Sequence, residues 1–436
     1  MTKRLRKFNS TSEYKDYLDG ETPVIPNVSY CSDISDINYV NYFEYYKTKY
    51  LTFITLENGT FTLTIGSNVN TSLLSSISYS TDNGLTWTTT NNQDNTTVTI
   101  TTPTVLAGDK ILWKGEGIAM STAIFSTEAA NRAINSSIFS STGEFNIEGN
   151  IMSLLYGDDF QNKDSFENNS SSNFALLFYS YNTADTAKIS SIEKLVFPAN
   201  TLADQCYVRM FQGAPLVKPP IVLPARELAT YCYASMFLGC TNLTTPPKLP
   251  AINLESYCYY AMFSKCTNLT VTPKLIARKL APYCYQSMFQ ACASLTEVPK
   301  LPAIKLAPYC YYSMFYECTS IKVVPKLPAT TLASHCYHFM FGYCSNLTTV
   351  TELPAIDLIG GDHCYDRMFR SCSKLNYVKA MFITDPMPDR TTKLYTDNWL
   401  YGVSSTGTFV KNINATWTER SEFGIPVNWT VETASI

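Results

Sequence analysis

Apolar and polar residues recur along the second half of this chain on a fixed lattice. Cys-Tyr dipeptides begin at Cys206, Cys232, Cys258, Cys284, Cys310, Cys336 and Cys364, in steps of 26 residues and a last step of 28. Four residues after each Cys stands Met-Phe, from Met210-Phe211 to Met368-Phe369. Eight residues after each comes a second Cys, replaced only by Ala214 in the first copy. A period in the twenties is that of leucine-rich repeats. Cys258, Met262 and Cys266 lie at i, i+4 and i+8, with Tyr259 and Phe263 beside them, a spacing that predicts one stripe of a helix of about ten residues. Thr230, Ser256 and Ser334 read as helix N-caps, Pro282 and Pro308 as first-turn prolines in the same register, and Asn242, Asn268 and Asn346 as the C-terminal end.

Leu243, Leu269, Leu295, Ile321 and Leu347 then open an extended segment, continued inward by Leu249, Leu275, Leu301, Leu327 and Leu353. The inner wall ends at Leu254, Leu280, Leu306, Leu332 and Leu358. Pro247, Pro273, Pro299 and Pro325 cannot donate to a ladder, so this strand is expected to be short or irregular. One unit thus reads as strand, turn and helix. Such a unit cannot bury its apolar face alone, so copies must stack into a solenoid with closed ends. A degenerate first copy is visible in residues 173–178 and 194–199, and the lattice breaks near Tyr377, where a C-terminal cap is expected.

Upstream the period changes to two. Thr52-Phe53-Ile54-Thr55, Thr60-Phe61-Thr62-Leu63-Thr64 and Thr97-Val98-Thr99-Ile100-Thr101 alternate with Asn-Gly turns, which predicts antiparallel strands and most simply a β-sandwich. Ser80-Thr81-Asp82-Asn83-Gly84-Leu85-Thr86-Trp87 is a complete S-x-D-x-G-x-x-W Asp-box, read as a device that pins a hairpin turn. Residues 1–49 resemble neither unit. They carry a basic tip, Lys3, Arg4, Arg6 and Lys7, and an extended stretch that includes Pro26, Asn27, Val28 and Tyr30. They read as a docking arm or as a frayed tail. The expected architecture is therefore multi-domain α+β: arm 1–49, β-sandwich 50–150, leucine-rich-repeat-type solenoid 151–378 of 26-residue strand-helix units, and cap 379–436.

Composition narrows the function. A net charge of −3 gives no electrostatic case for nucleic acid. No apolar run reaches the length of a membrane span. The N-terminus has a basic start without an apolar segment after it, so no secretory signal is expected and the chain would be made in a cytoplasm. Of the fourteen cysteines thirteen sit on the repeat lattice and only Cys31 is off it, which reads as core thiols rather than disulfides. Neither metal nor cofactor is expected, because no C-x-x-C pair occurs and only His335, His338 and His363 are present. No Gly-rich phosphate loop or G-x-S-x-G elbow appears, and Asp158-Asp159 reads as solvated loop, so an enzyme is not expected. A glycan hydrolase, with two carboxylates on distant strands, is the enzymatic alternative.

With M-F-x-x-C-x-x-L-T, P-K-L-P-A and the Cys-Tyr segment in place, the repeat resembles BspA-like leucine-rich repeats over about residues 170–378. Residues 139–143, 149–157, 402–410 and 424–426 are similar to segments of proteins from gut Bacteroidales and their phages. Residues 25–31 are similar to the start of virion proteins of such phages, the crAss-like group included. What the resemblance implies is a phage virion structural protein, a head fibre, tail fibre or capsid decoration protein. It would be made in the host bacterial cytoplasm and carried on the virion surface. Residues 1–49 would dock on other virion proteins, and a homo-oligomer, a trimer as in many fibres, would display the repeats for adhesion. The alternative is a bacterial surface adhesin of the same repeat class.

Two rows are candidate binding surfaces for a host glycan or protein. Lys248, Lys274, Lys300 and Lys326 share one register, about 4.8 Å apart per rung if the copies stack. Such a row either meets an anion or covers apolar surface with its stems. Tyr231, Tyr257, Tyr283 and Tyr309, with Tyr260 and Tyr312, form the second, suited either to stacking on sugars or protein or to packing between units.

Overall fold

The computed structural model describes residues 37–69, 73–91, 96–122, 135–166, 171–180, 186–386, 394–417 and 424–434. The arm residues Lys3, Arg4, Arg6, Lys7, Pro26, Asn27, Val28 and Tyr30, and Cys31, lie outside them. The chain is β-rich with few helices. Helix α1 (Ile37–Lys47) belongs to the segment expected as an arm, yet it is folded against its own chain. Tyr42 and Tyr46, on one face at i and i+4, pack on Val196 and Val222, and the Tyr42 hydroxyl donates to the Glu193 carbonyl at 2.9 Å.

Strands β1 (Leu51–Thr55), β2 (Phe61–Ile65), β3 (Leu74–Ser80), β4 (Thr88–Asn91), β5 (Val98–Thr101), β6 (Lys110–Gly117), β7 (Ser137–Ser141), β8 (Phe145–Asn150) and β9 (Ile189–Val196) form two sheets. Their orders are β4-β3-β6-β1-β8-β9 and β5-β2-β7. In β2 every second residue is buried, as its alternation predicts. Phe53 of β1 meets Phe61 of β2 at 5.3 Å and Phe139 of β7 at 5.1 Å, and Trp113 of β6 meets Phe139 at 4.9 Å, so the sheets share an aromatic core. Helix α2 (Ser153–Tyr156) follows β8. Strand β9 runs parallel to β8 and bridges onward to Lys218, which joins this unit to the repeats.

The helix expected in each repeat is absent; an unusual rung stands in its place. In residues 257–266 alternate amides close tight turns three residues back: Tyr260 to the Tyr257 carbonyl, Met262 to Tyr259, Ser264 to Ala261, Cys266 to Phe263. The intervening amides of Tyr257, Tyr259, Ala261, Phe263 and Lys265 leave the rung and donate to carbonyls of Pro282, Cys284, Gln286, Met288 and Gln290 in the next copy, at 2.7–3.3 Å. Carbonyls of Cys258, Tyr260, Met262 and Ser264 accept in turn from the copy before. Within residues 258–264 every amide and carbonyl is satisfied in this way without a helix. The stripe of period four arises because every fourth residue is left-handed: Tyr257 (φ 58°), Ala261 (φ 49°) and Lys265 (φ 62°), and likewise Tyr231, Ser235 and Gly239.

The residues read as helix caps occupy turn positions. Cys284 donates to the Ala281 carbonyl at 3.3 Å across Pro282 and left-handed Tyr283, the pattern of a type II turn with proline second. Pro308 serves the same turn before Tyr309, and Thr230, Ser256 and Ser334 stand in its register. The Asn242 and Asn346 amides reach back to carbonyls of Pro215 and Thr319 in the preceding copy.

Rungs follow one another from residues 172–180, the degenerate copy, through to residues 394–402, where Trp399-Leu400 takes the Met-Phe place. The fold therefore carries the rung beyond the lattice visible in the sequence. Strands β10 (Val323–Val324), β11 (Thr349–Leu353), β12 (Tyr377–Ala380), β13 (Thr408–Asn412) and β14 (Thr430–Ala434) form a parallel sheet along a second edge, running across residue 378. Between β9 and β10 that edge makes only isolated parallel bridges such as Val222 to Lys248. The prolines explain the gap, and Thr351, in the register of Pro325, lies where a full strand returns.

Side chains stack in columns. Phe139 of β7, Phe178, Phe211, Phe237, Phe263, Phe289, Phe315, Phe341 and Phe369 stand ring on ring at 5.3–5.9 Å. A parallel column runs from Tyr207 to Tyr365, fully buried. One core cluster extends from Leu51 to Trp429. Burial of each such side chain contributes roughly 1.5–3 kcal/mol, and every rung needs its neighbour to obtain it.

Candidate functional site

The thirteen lattice cysteines are all buried and free. The second Cys of each copy donates its thiol to a carbonyl of the preceding rung, as Cys266 does to Phe237 at 3.1 Å and Cys318 to Phe289 at 3.0 Å. Burial pushes the Cys240 and Cys284 thiols up to about 12. These sulfurs are packing atoms, as the lattice predicts, and the thiolate needed for reactivity or metal binding is suppressed. Among the described residues, no three His, Cys, Asp or Glu side chains are placed to share a metal ion.

The tyrosine row is real but closed. Tyr231, Tyr257, Tyr283 and Tyr309 stack face to face at 4.3–4.5 Å, and His335 continues the row at 4.5 Å. Both faces of Tyr257, Tyr283 and Tyr309 are covered by their neighbours, so only ring edges and hydroxyls are presented and no sugar can stack on them. Burial, then the neighbouring tyrosines, raises the Tyr257 pKa. Tyr260 sits beside Tyr257 at 6.0 Å, and Tyr312 stacks on His338 at 4.8 Å. Of the two expected readings, packing between units is the one this geometry favours.

The lysine row lies on the proline-bearing edge and is not uniform. Lys326 pairs with Glu352 at 2.5 Å, and Glu352, in the lysine register, also takes Lys379 at 2.8 Å. The two lysines hold the Glu352 carboxyl below its usual range. Lys274 and Lys300 are exposed and form no ion pair among the described residues. They line one groove with Pro273, Ile276, Arg278, Pro299 and Pro302, and the adjoining groove holds Lys248, Pro246 and Pro247.

No family model, curated protein or solved structure matches this chain.

The Asp-box performs the expected structural task at the β3–β4 turn. Ser80 donates to Asp82 at 2.7 Å, and Asp82 accepts from the Thr86 amide at 2.9 Å and hydroxyl at 2.6 Å. The Thr86 and Ser80 bonds pull the Asp82 carboxyl down to about 2. Trp87 packs edge-on against Tyr50 at 5.2 Å, beneath Lys114 at 4.4 Å. Asp158 and Asp159 are both exposed, and Asp158 accepts from Lys114 at 2.8 Å and Tyr50 at 2.5 Å, which ties it into this cluster.

A second group escaped the sequence reading because its members belong to different copies. His335 and His363 are 4.8 Å apart and His335 and His338 5.4 Å apart, ring centre to ring centre. Buried Asp366 lies 3.1 Å from His363 Nδ1 and 3.2 Å from His338 Nδ1. Desolvation, then the neighbouring His363 and His338, lowers the His335 pKa below 6.5, against the pull of Asp362 and Asp366. A depressed histidine pKa stabilises the fold while the ring is neutral. That contribution is complete above about pH 6.5 and is lost as the pH falls through the folded value. Melting temperature should therefore drop between pH 7 and pH 5, and His335→Tyr, which continues the tyrosine stack, should shrink the drop. An equal drop in that variant would remove His335 as the cause.

Proposed function

We propose that this chain is a non-enzymatic display protein of a phage virion surface. Its repeats form a leucine-rich-repeat-type solenoid of the BspA-like class, built from strand-and-turn units and closed at its N-terminal end by a β-sandwich. The observation that carries the reading is the unbroken ring column from Phe139 of the sheet unit to Phe369 of the last lattice copy. Such a column makes a stiff rod that holds a surface away from its attachment point, with its thiols and most of its aromatic rings inside. The resemblance of residues 25–31 and 402–410 to virion proteins supports placing the rod on a particle, docked through its N-terminal residues as a homo-oligomer, a trimer by analogy with fibres.

Since α1 is folded onto the rungs, the docking role falls to residues 1–36. Mass spectrometry of purified particles should find the full chain, and deletion of residues 1–36 should remove it while the truncated chain still melts cooperatively. Particles that lack the full chain, or chain exported by cells free of particles, would replace this reading with the adhesin.

A further inference from the structure

We infer that the proline-bearing edge around Lys274 and Lys300 is a binding groove for a linear acidic polysaccharide. This rests on the display reading above and selects, within it, one face and one ligand chemistry. Lys274, Arg278 and Lys300 line a single groove, and Lys274 and Lys300 are exposed there. These three cations come from two successive copies, and no carboxylate pairs with any of them among the described residues. Lys218 pairs with Glu193 at 3.7 Å and Lys326 with Glu352 at 2.5 Å towards the ends of this edge, while Lys274, Arg278 and Lys300 form no ion pair among the described residues.

Rung repetition sets Lys274 and Lys300 in one register at about 4.8 Å per copy, with Arg278 beside them, a spacing that suits a polymer with regularly placed negative charges. The groove floor is rigid and apolar: Pro246, Pro247, Pro273, Pro299 and Pro302, with Ile276 47% exposed and Val271 48% exposed. Pyrrolidine and isoleucine C–H surface fits the apolar face of a sugar ring. Its lining holds none of the aromatic platforms on which single-stranded nucleic acid stacks, and the row Tyr257, Tyr283 and Tyr309, stacked ring on ring, is not part of it. The proline ring also holds the lysine-bearing backbone in place before a ligand arrives, which limits the ordering cost of binding.

The test uses the full chain with polygalacturonate as probe, dextran as neutral control and poly(dT) as nucleic-acid control, all at one ionic strength. The wild type should bind polygalacturonate, more weakly as salt rises, and should bind neither control comparably. Combined Lys274→Glu, Arg278→Glu and Lys300→Glu should weaken polygalacturonate binding at least tenfold with an unchanged melting temperature. Undiminished binding in that variant, no binding by the wild type, equal binding of dextran, or equal binding of poly(dT) would each overturn the proposal. Incorporation into particles reads the display function separately: a wild type that is incorporated normally yet binds no polygalacturonate would sink the groove and leave the rod.

Discussion

Under native conditions a maleimide should label at most one of the fourteen cysteines, Cys31, and under denaturing conditions all of them. The thirteen lattice thiols are buried and unpaired, and each is held neutral by its surroundings. A thiol of this kind reacts only when its rung opens. If opening costs about 3 kcal/mol or more, labelling slows by at least about a hundredfold relative to the unfolded chain, at roughly 1.4 kcal/mol per factor of ten. Competing arrangements give different numbers. Disulfides would leave denatured, unreduced protein with few reactive thiols, and solvent-facing or metal-held sulfurs would react in the native state or after chelation. Fast native labelling of several lattice positions would sink the view that these sulfurs are interior packing.

Much of the fold is legible in the sequence because the lattice states which residues must be equivalent. Burial of Cys258, Tyr259, Met262, Phe263 and Cys266 follows from it, and so does the irregular edge at Pro273 and Pro299. What is not legible is the backbone between them. A stripe at i, i+4 and i+8 is the same for a helix of period 3.6 and for turns of period four, since three points over eight residues separate the two by little. The discriminating signals are local. Pro282 and Pro308 directly precede left-handed Tyr283 and Tyr309, and Gly213 and Gly239 fill the third left-handed position that Lys265 and Glu317 fill elsewhere. Continuation of the rung to residues 394–402 is hidden for a related reason: there Trp399-Leu400 replaces Met-Phe, and the hydrogen bonds that define the rung are made by backbone alone.

The candidate site divides in the same way. A register identifies Lys248, Lys274, Lys300 and Lys326 as one row, and the fold keeps them on one edge. It cannot say that Glu352 closes the row by pairing with Lys326, or that Arg278 joins the same groove from the turn after Lys274. For the tyrosines the register alone leaves both readings open, and the fold favours packing between units, because a rung spacing short enough for backbone bonding brings the rings into mutual contact at 4.3–4.5 Å.

Substitutions at the third left-handed position should separate the turn backbone from a helix by sign. In a helix Gly239→Ala would stabilise by up to about 1 kcal/mol, and Lys265→Gly would cost a similar amount. Here Gly239 sits at φ 74° and Lys265 at φ 62°, where a Cβ costs roughly 1–2 kcal/mol. Gly239→Ala should therefore destabilise by about 1 kcal/mol, with no atom nearer to its new methyl than 3.9 Å. Lys265→Gly should be neutral or stabilising, since loss of the Cβ strain offsets the greater freedom of glycine in the unfolded chain. Gly213→Ala should be far worse, because its Cβ would fall 1.8 Å from the Ser180 carbonyl oxygen of the preceding rung. Backbone in that contact must move, which adds to the left-handed strain and gives a total of about 3 kcal/mol or more. Urea melts of the three variants read all these effects. A stabilised Gly239→Ala protein, or a Gly213→Ala protein that melts like the wild type, would show that the rung is not built as described.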